Sequence, residues 1–134
     1  MAEKDLSILL SSINPQLHDG EFVFCTLPEQ TYKGLSINPL CFFREEEGIS
    51  IVIEKAQAEN LGLQYTGTWS LITCKINSSL EAVGFLASMS ATLAKEDIPA
   101  NAISAYFHDH LFVPSAKAKQ ALGLLQELST RLTK

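Results

Sequence analysis

Residues 51–63 read IVIEKAQAENLGL and residues 112–124 read FVPSAKAKQALGL, and the two can be laid over one another. Each opens on an apolar run and passes into a helical pattern, and Leu61, Gly62 and Leu63 coincide with Leu122, Gly123 and Leu124. Upstream, Cys25, Thr26, Leu27 and Pro28 overlay Cys74, Lys75, Ile76 and Asn77, each set closing a strand before the chain turns. The residue offset is 49 at the upstream anchor and 61 at the downstream one, so the second copy is 12 residues longer. The repeated unit is strand, helix or loop, strand, strand, helix, which makes the fold class α+β. Residues 1–65 hold an N-terminal helix and a first, degenerate copy, and residues 66–134 hold the second. Two such copies side by side let their antiparallel sheets pair and their helices cover one face.

Outward from these anchors, the spacing predicts a helix over 5–13, stopped by Asn14 and Pro15 because a proline disfavours helical backbone in the residue before it. A turn at His18, Asp19 and Gly20 leads to a strand over 21–27, rich in valine, phenylalanine and threonine. Residues 29–39 read as a loop or at most one helical turn. Residues 40–44 and 49–54 form a hairpin around the acidic tip Glu45, Glu46 and Glu47, which faces water. Residues 55–61 form a short helix that closes at Gly62, a residue free to take a left-handed C-cap conformation.

The clearest strand covers residues 68–76. A helix from 79 to 95 follows, with Ser78 and Glu81 in the capping-box arrangement. Leu80, Val83, Phe85, Leu86 and Met89 leave little of its circumference polar, so it is expected to be covered on more than one side. Residues 102–107 and 111–113 form a second hairpin whose tip is His108, Asp109 and His110, and a last amphipathic helix covers 115–132.

The totals suit a folded, soluble protein. A chain of 134 residues with 46% hydrophobic and 19% charged residues has the apolar surface to offset chain entropy. Its formal net charge of −5 disfavours nucleic acid. The N-terminal pattern is an amphipathic helix rather than a secretory signal, and no run approaches a membrane span. Cys25, Cys41 and Cys74, an odd number without a close pair, are expected as reduced, buried thiols of a cytoplasmic protein.

The element order, the string of Ser78, Ser79, Leu80, Glu81, Ala82, Val83 and Gly84, and the more specific string from Tyr106 through Phe107, His108, Asp109, His110, Leu111, Phe112 and Val113 to Pro114 resemble bacterial tandem ACT-domain proteins. They are also similar to the ACT pairs of the CASTOR arginine sensors. The resemblance covers nearly the whole chain and implies a ferredoxin-like βαββαβ module in tandem, an amino-acid ligand at the seam between modules, a regulatory role without catalysis or cofactor, and a homodimer or other small homo-oligomer. Two features depart from the family. The turn over residues 76–79 lacks the glycine common in ligand-binding ACT loops, and the first copy lacks a full first helix. A complete pair also needs a final strand in each copy, whereas this chain ends on a helix. Residues 21–27 are expected to fill the place missing from the second copy, leaving residues 68–76 beside the first copy's sheet.

Helix N-termini offer free amides and a positive dipole end to an anion, so Asn77, Ser78, Ser79 and Leu80 are the candidates for a ligand carboxylate, against the plainer reading that Ser78 caps its helix. In the ACT-like arrangement Asn101, Ala102, Ile103 and Ser104 lie opposite and would take the ammonium group through their backbone. They also read as plain sheet residues. His108 and His110 are spaced to face one side of a strand, but two imidazoles do not make a metal site, and a third ligand would have to come from distant His18 or a carboxylate. A polar hairpin tip or a pH-sensitive contact at an interface is the plainer assignment. No catalytic elbow, phosphate loop or Cys-x-x-Cys pair is visible. A dimerisation module without ligand is the runner-up, ahead of a small metal-dependent enzyme.

Overall fold

The structure is a computed structural model that describes residues 5–6, 12–75 and 83–132. The chain divides into two compact units, Gly20–Trp69 and the pair of segments Met1–Asp19 with Ser70–Lys134.

In the unit of residues 20–69, β2 (Phe22–Leu27) pairs antiparallel along its whole length with β4 (Ile49–Glu54), and β4 pairs antiparallel with β3 (Cys41–Arg44). Trp69 pairs with Phe22, and its ring meets Phe24 edge-on at 5.5 Å. Alternate residues of the two inner strands, Val23, Cys25, Ile49, Ile51 and Ile53, point to one face. There they pack with Ala58 of α2 (Lys55–Leu61), and Tyr32 of α1 (Glu29–Lys33) lies against the same cluster. The predicted loop of residues 29–39 thus opens with a five-residue helix. Pro28 stands at its N-cap, φ −59°, a position where a missing N–H costs nothing. The C-cap at Gly62 is as expected, with φ 67°.

The other unit contains β5 (Trp69–Cys74) from Ser70 onward, β6 (Asn101–Ser104) and β7 (Asp109–Pro114), with β7 between β5 and β6. One sheet face carries Ile72, Cys74, Leu111 and Val113. They pack against Phe85, Met89 and Leu93 of α3 (Phe85–Ala94) and Ala118, Ala121 and Leu125 of α4 (Ala118–Leu132), which follows a single 3₁₀ turn at Ser115–Lys117. This is the expected α+β architecture, antiparallel strands with helices on one face.

The strand that completes this unit is not the one expected. Residues 21–27 stay with their own hairpin, and a three-residue strand, β1 (Pro15–Leu17), pairs antiparallel with β5 instead: Pro15 with Cys74, Gln16 with Thr73, Leu17 with Ile72. The bonds His18 N–H to Leu71 O (2.9 Å) and Lys75 N–H to Asn14 O (3.2 Å) extend the pairing at both ends. A proline is tolerated as the first residue of a strand because nothing before it needs its N–H. Most of the predicted helix over 5–13 lies outside the described residues, and Ile13 at its end is buried in the core.

Three further expectations are corrected. The predicted helix over 79–95 is Phe85–Ala94: Gly84 precedes it at φ 87°, a left-handed conformation that no helix continues through. The proposed capping box falls at residues 78–81, outside the described residues. Nor is the helix covered all round, since its buried residues, Phe85, Met89 and Leu93, form one stripe while Ala87 and Ala91 are exposed. Asp97, at φ 56°, turns the chain out of it, and Ile98 N–H bonds back to Leu93 O at 3.1 Å. The second hairpin turns at residues 105–108, closed by Ala105 N–H to His108 O at 3.1 Å, so Asp109 and His110 belong to β7 rather than to a tip. Strand alternation explains the shift, because Asp109 shares the strand face of Leu111 and Val113, and all three are buried. Among the described residues no helix is long and apolar enough to cross a membrane.

Candidate functional site

Of the two segments expected to hold a ligand, Asn77, Ser78, Ser79 and Leu80 lie outside the described residues. Asn101, Ala102, Ile103 and Ser104 are β6 itself, an edge strand in register with Phe112, Leu111, His110 and Asp109 of β7. A strand with a neighbour on one side presents alternate N–H and C=O groups outward, able to receive a charged or polar group. The side chains of Asn101, Ala102 and Ser104 are exposed and that of Ile103 is half-buried, and among the described residues no strand pairs with the outer border of β6. At the turn beside it Tyr106 and Phe107 are 75% and 64% exposed, with their rings edge to face at 5.0 Å, so two exposed aromatic rings stand next to this strand.

The sheet face away from α3 and α4 carries a polar constellation built around one threonine. Thr73 of β5 is buried, its Oγ1 lying 2.7 Å from Nε2 of His18 and 2.9 Å from Nδ1 of His110. The rings of His108 and His110 stand 6.5 Å apart, and His108 Nδ1 is a buried nitrogen without a hydrogen-bond partner among the described residues. All three histidines of the chain therefore gather in one unit. Burial holds the His110 imidazole below its ordinary pKa, helped by the charges of His108 and His18 and opposed by Asp109. The pair His108 and His110 was legible as a spacing. Thr73 was not, because a threonine within an apolar run reads as a strand former, and His18 came near them only through the unforeseen β1.

A metal reading of these histidines finds no support in the geometry, since among the described residues no three His, Cys, Asp or Glu side chains stand so that they could share an ion. A threonine hydroxyl, not an open coordination position, occupies the space between His18 and His110. The cysteines are free thiols, Cys25 and Cys74 buried and Cys41 half-buried. Burial raises all three above the ordinary thiol range, Cys74 to about 12 with the Asp109 charge adding to it. A raised thiol pKa lowers the share of nucleophilic thiolate near neutral pH.

A family model described as an ACT domain matches residues 1–70, and a second model, also described as an ACT domain, matches residues 65–127. Among solved structures the chain is similar to a protein of unknown function from Vibrio cholerae, described as a possible transport protein: identity is 43% over 94% of this chain and 97% of that one, with a TM-score of 0.84. A protein from Agobacterium tumefaciens is 18% identical over 87% of this chain and 89% of its own, TM-score 0.68. The regulatory subunit of aspartate kinase from Thermus thermophilus, in a ligand-free form, is 9% identical over 87% of this chain and 98% of its own, TM-score 0.61. The last two share the fold. No curated protein matches the sequence.

Proposed function

Because the chain belongs to the ACT-domain family and carries two family matches in tandem, we propose that it is a regulatory protein that binds a small ligand, and that the ligand is an amino acid. The observation that carries this reading is the border of β6, where Asn101, Ala102 and Ser104 are exposed at the edge of the sheet among the described residues. An edge strand offers carbonyl oxygens to an ammonium group without any side chain having to be charged. In this proposal the carboxylate is taken by the segment of Asn77, Ser78, Ser79 and Leu80, and the ammonium by the backbone of Asn101, Ala102, Ile103 and Ser104. His108 and His110 are not ligand contacts. The regulatory subunit of aspartate kinase, which shares the fold at a TM-score of 0.61, supports regulation as the role. No catalytic step and no cofactor is assigned. The protein acts in the cytoplasm as a homodimer or other small homo-oligomer, for which the exposed rings of Phe43, Tyr106 and Phe107 supply apolar surface.

A ligand that binds only the folded state stabilises it by RT ln(1 + [L]/Kd), about 2.7 kcal/mol at a hundred times Kd. A thermal-shift screen of the common amino acids at millimolar concentration is expected to raise Tm by several degrees for one of them or a chemically related few. A flat response across all of them overturns the amino-acid reading.

A further inference from the structure

We propose that His18, Thr73 and His110 form a proton-operated latch that holds the N-terminal strand β1 against β5 near neutral pH and loosens it under mild acid. The geometry sets the rule. Thr73 Oγ1 has one proton to donate, yet it lies within hydrogen-bond distance of two imidazole nitrogens, Nε2 of His18 at 2.7 Å and Nδ1 of His110 at 2.9 Å. With neutral rings the arrangement is satisfied in one way: the threonine hydroxyl donates to one histidine and accepts an N–H from the other. Whichever ring is the acceptor, adding a proton to it turns that nitrogen into a donor. The hydroxyl then has N–H groups on both sides, loses the acceptor for its own proton in a buried position, and faces one cationic ring beside a neutral one.

The surrounding charges act in the same direction. His108 faces His110 at 6.5 Å between ring centroids, and its charge, with that of His18, opposes a proton on His110, while Asp109 on the same strand acts against them. Thr73 itself, on β5, and Ile103, opposite His110 on β6, contribute no charge. The depressed pKa of His110 agrees in sign: an opened state with a solvated ring binds more protons than the closed one. Latch stability is therefore full above the ordinary histidine pKa and is lost as pH falls below it.

The strand under this control is short. β1 has three residues, and the chain that follows it is held by the His18 N–H to Leu71 O bond at 2.9 Å, so His18 fastens β1 through both backbone and ring. Releasing it would uncover the stretch of β5 opposite residues 15–17, which is otherwise paired. This inference concerns the unit of residues 1–19 and 70–134 and does not depend on the ligand reading.

The test is amide hydrogen exchange by NMR on the full chain, corrected for intrinsic exchange rates, at about pH 7.5 and about pH 5.5, on either side of the histidine range. The protection of the His18 and Lys75 amides is expected to fall about tenfold relative to Leu111 and Phe112 of β7. In whichever of His18→Gln and His110→Gln removes the accepting ring, this relative fall is expected to shrink to about threefold or less. Equal pH responses of the His18 and Lys75 amides and the β7 amides in the wild type would overturn the latch, as would an undiminished fall in both His18→Gln and His110→Gln.

Discussion

The unit of residues 20–69 and the unit of residues 1–19 and 70–134 run the same order of strand, helix, hairpin and helix, but on helices of different length. In the first, α1 and α2 have five and seven residues, and the buried cluster is Val23, Cys25, Ile49, Ile51, Ile53 and Ala58. In the second, α3 and α4 have ten and fifteen, and the buried cluster takes in Phe85, Met89, Leu93, Ala118, Ala121 and Leu125 beside the strand residues. The strands are close equivalents, each hairpin turning through a four-residue loop closed by the same backbone bond, Glu45 N–H to Gly48 O and Ala105 N–H to His108 O. Strand pattern and turns thus carry the topology, while helix length decides how much apolar surface leaves water. The short-helix unit keeps the plan on half the core.

The largest contrast is in thiol chemistry. Cys25 and Cys74 occupy matching places in the repeat, yet burial beneath α3, with the Asp109 charge adding, pushes Cys74 up to about 12, and its Sγ lies 3.4 Å from Met89 Sδ. A shift of that size lowers the thiolate population about a thousandfold against an ordinary thiol. Time-resolved labelling near pH 8 is expected to modify half-buried Cys41 first and Cys74 last, at a rate limited by unfolding. The sign for stability follows. A raised pKa in the folded state contributes stability below the unfolded thiol value, and that contribution is lost as pH rises toward about 12. Labelling of Cys74 as fast as Cys41 would mean that the larger core is not closed.

Next in size is the core itself. Leu125 of α4 is fully buried between helix and sheet, so Leu125→Ala removes its transfer free energy and leaves a cavity, costing about 2–5 kcal/mol in denaturant unfolding. A cost under about 1 kcal/mol would show that the fifteen-residue helix does not stabilise its unit through this face.

Much of this plan was legible because it rests on local rules. Alternating apolar residues gave β4 and the core face of β7, and Gly62 after an apolar run gave a helix end. What failed had non-local causes. The strand Pro15–Leu17 is too short and polar to announce itself and exists because β5 has an open side. The α3 pattern ran unbroken through Gly84, which periodicity treats as a small helical residue, although its φ of 87° excludes it from the helix. Of the site, β6 was visible as a strand and the two neighbouring histidines as a spacing. Their convergence with His18 on Thr73 depends on β1, and so on a pairing between residues more than fifty apart in sequence.

The smallest effect is the sharpest, because the comparison predicts opposite signs for one substitution. Gly62 and Gly123 match in the repeat, each between two leucines, but Gly62 ends α2 at φ 67°, whereas Gly123 lies inside α4, which continues to Leu132. No atom comes within 4 Å of a Cβ built on either, so packing does not distinguish them and the backbone alone decides. Gly62→Ala puts a side chain on left-handed backbone and costs about 1 kcal/mol. Gly123→Ala replaces the residue with the greatest backbone freedom by the best helix former at an open helical position, stabilising by about 0.5–1 kcal/mol. In paired chemical denaturation curves the two midpoints move apart from the wild type in opposite directions. If both moved the same way, the equal positions would have equal conformations, and the divergence of the two units would have to lie elsewhere than in where their last helices stop.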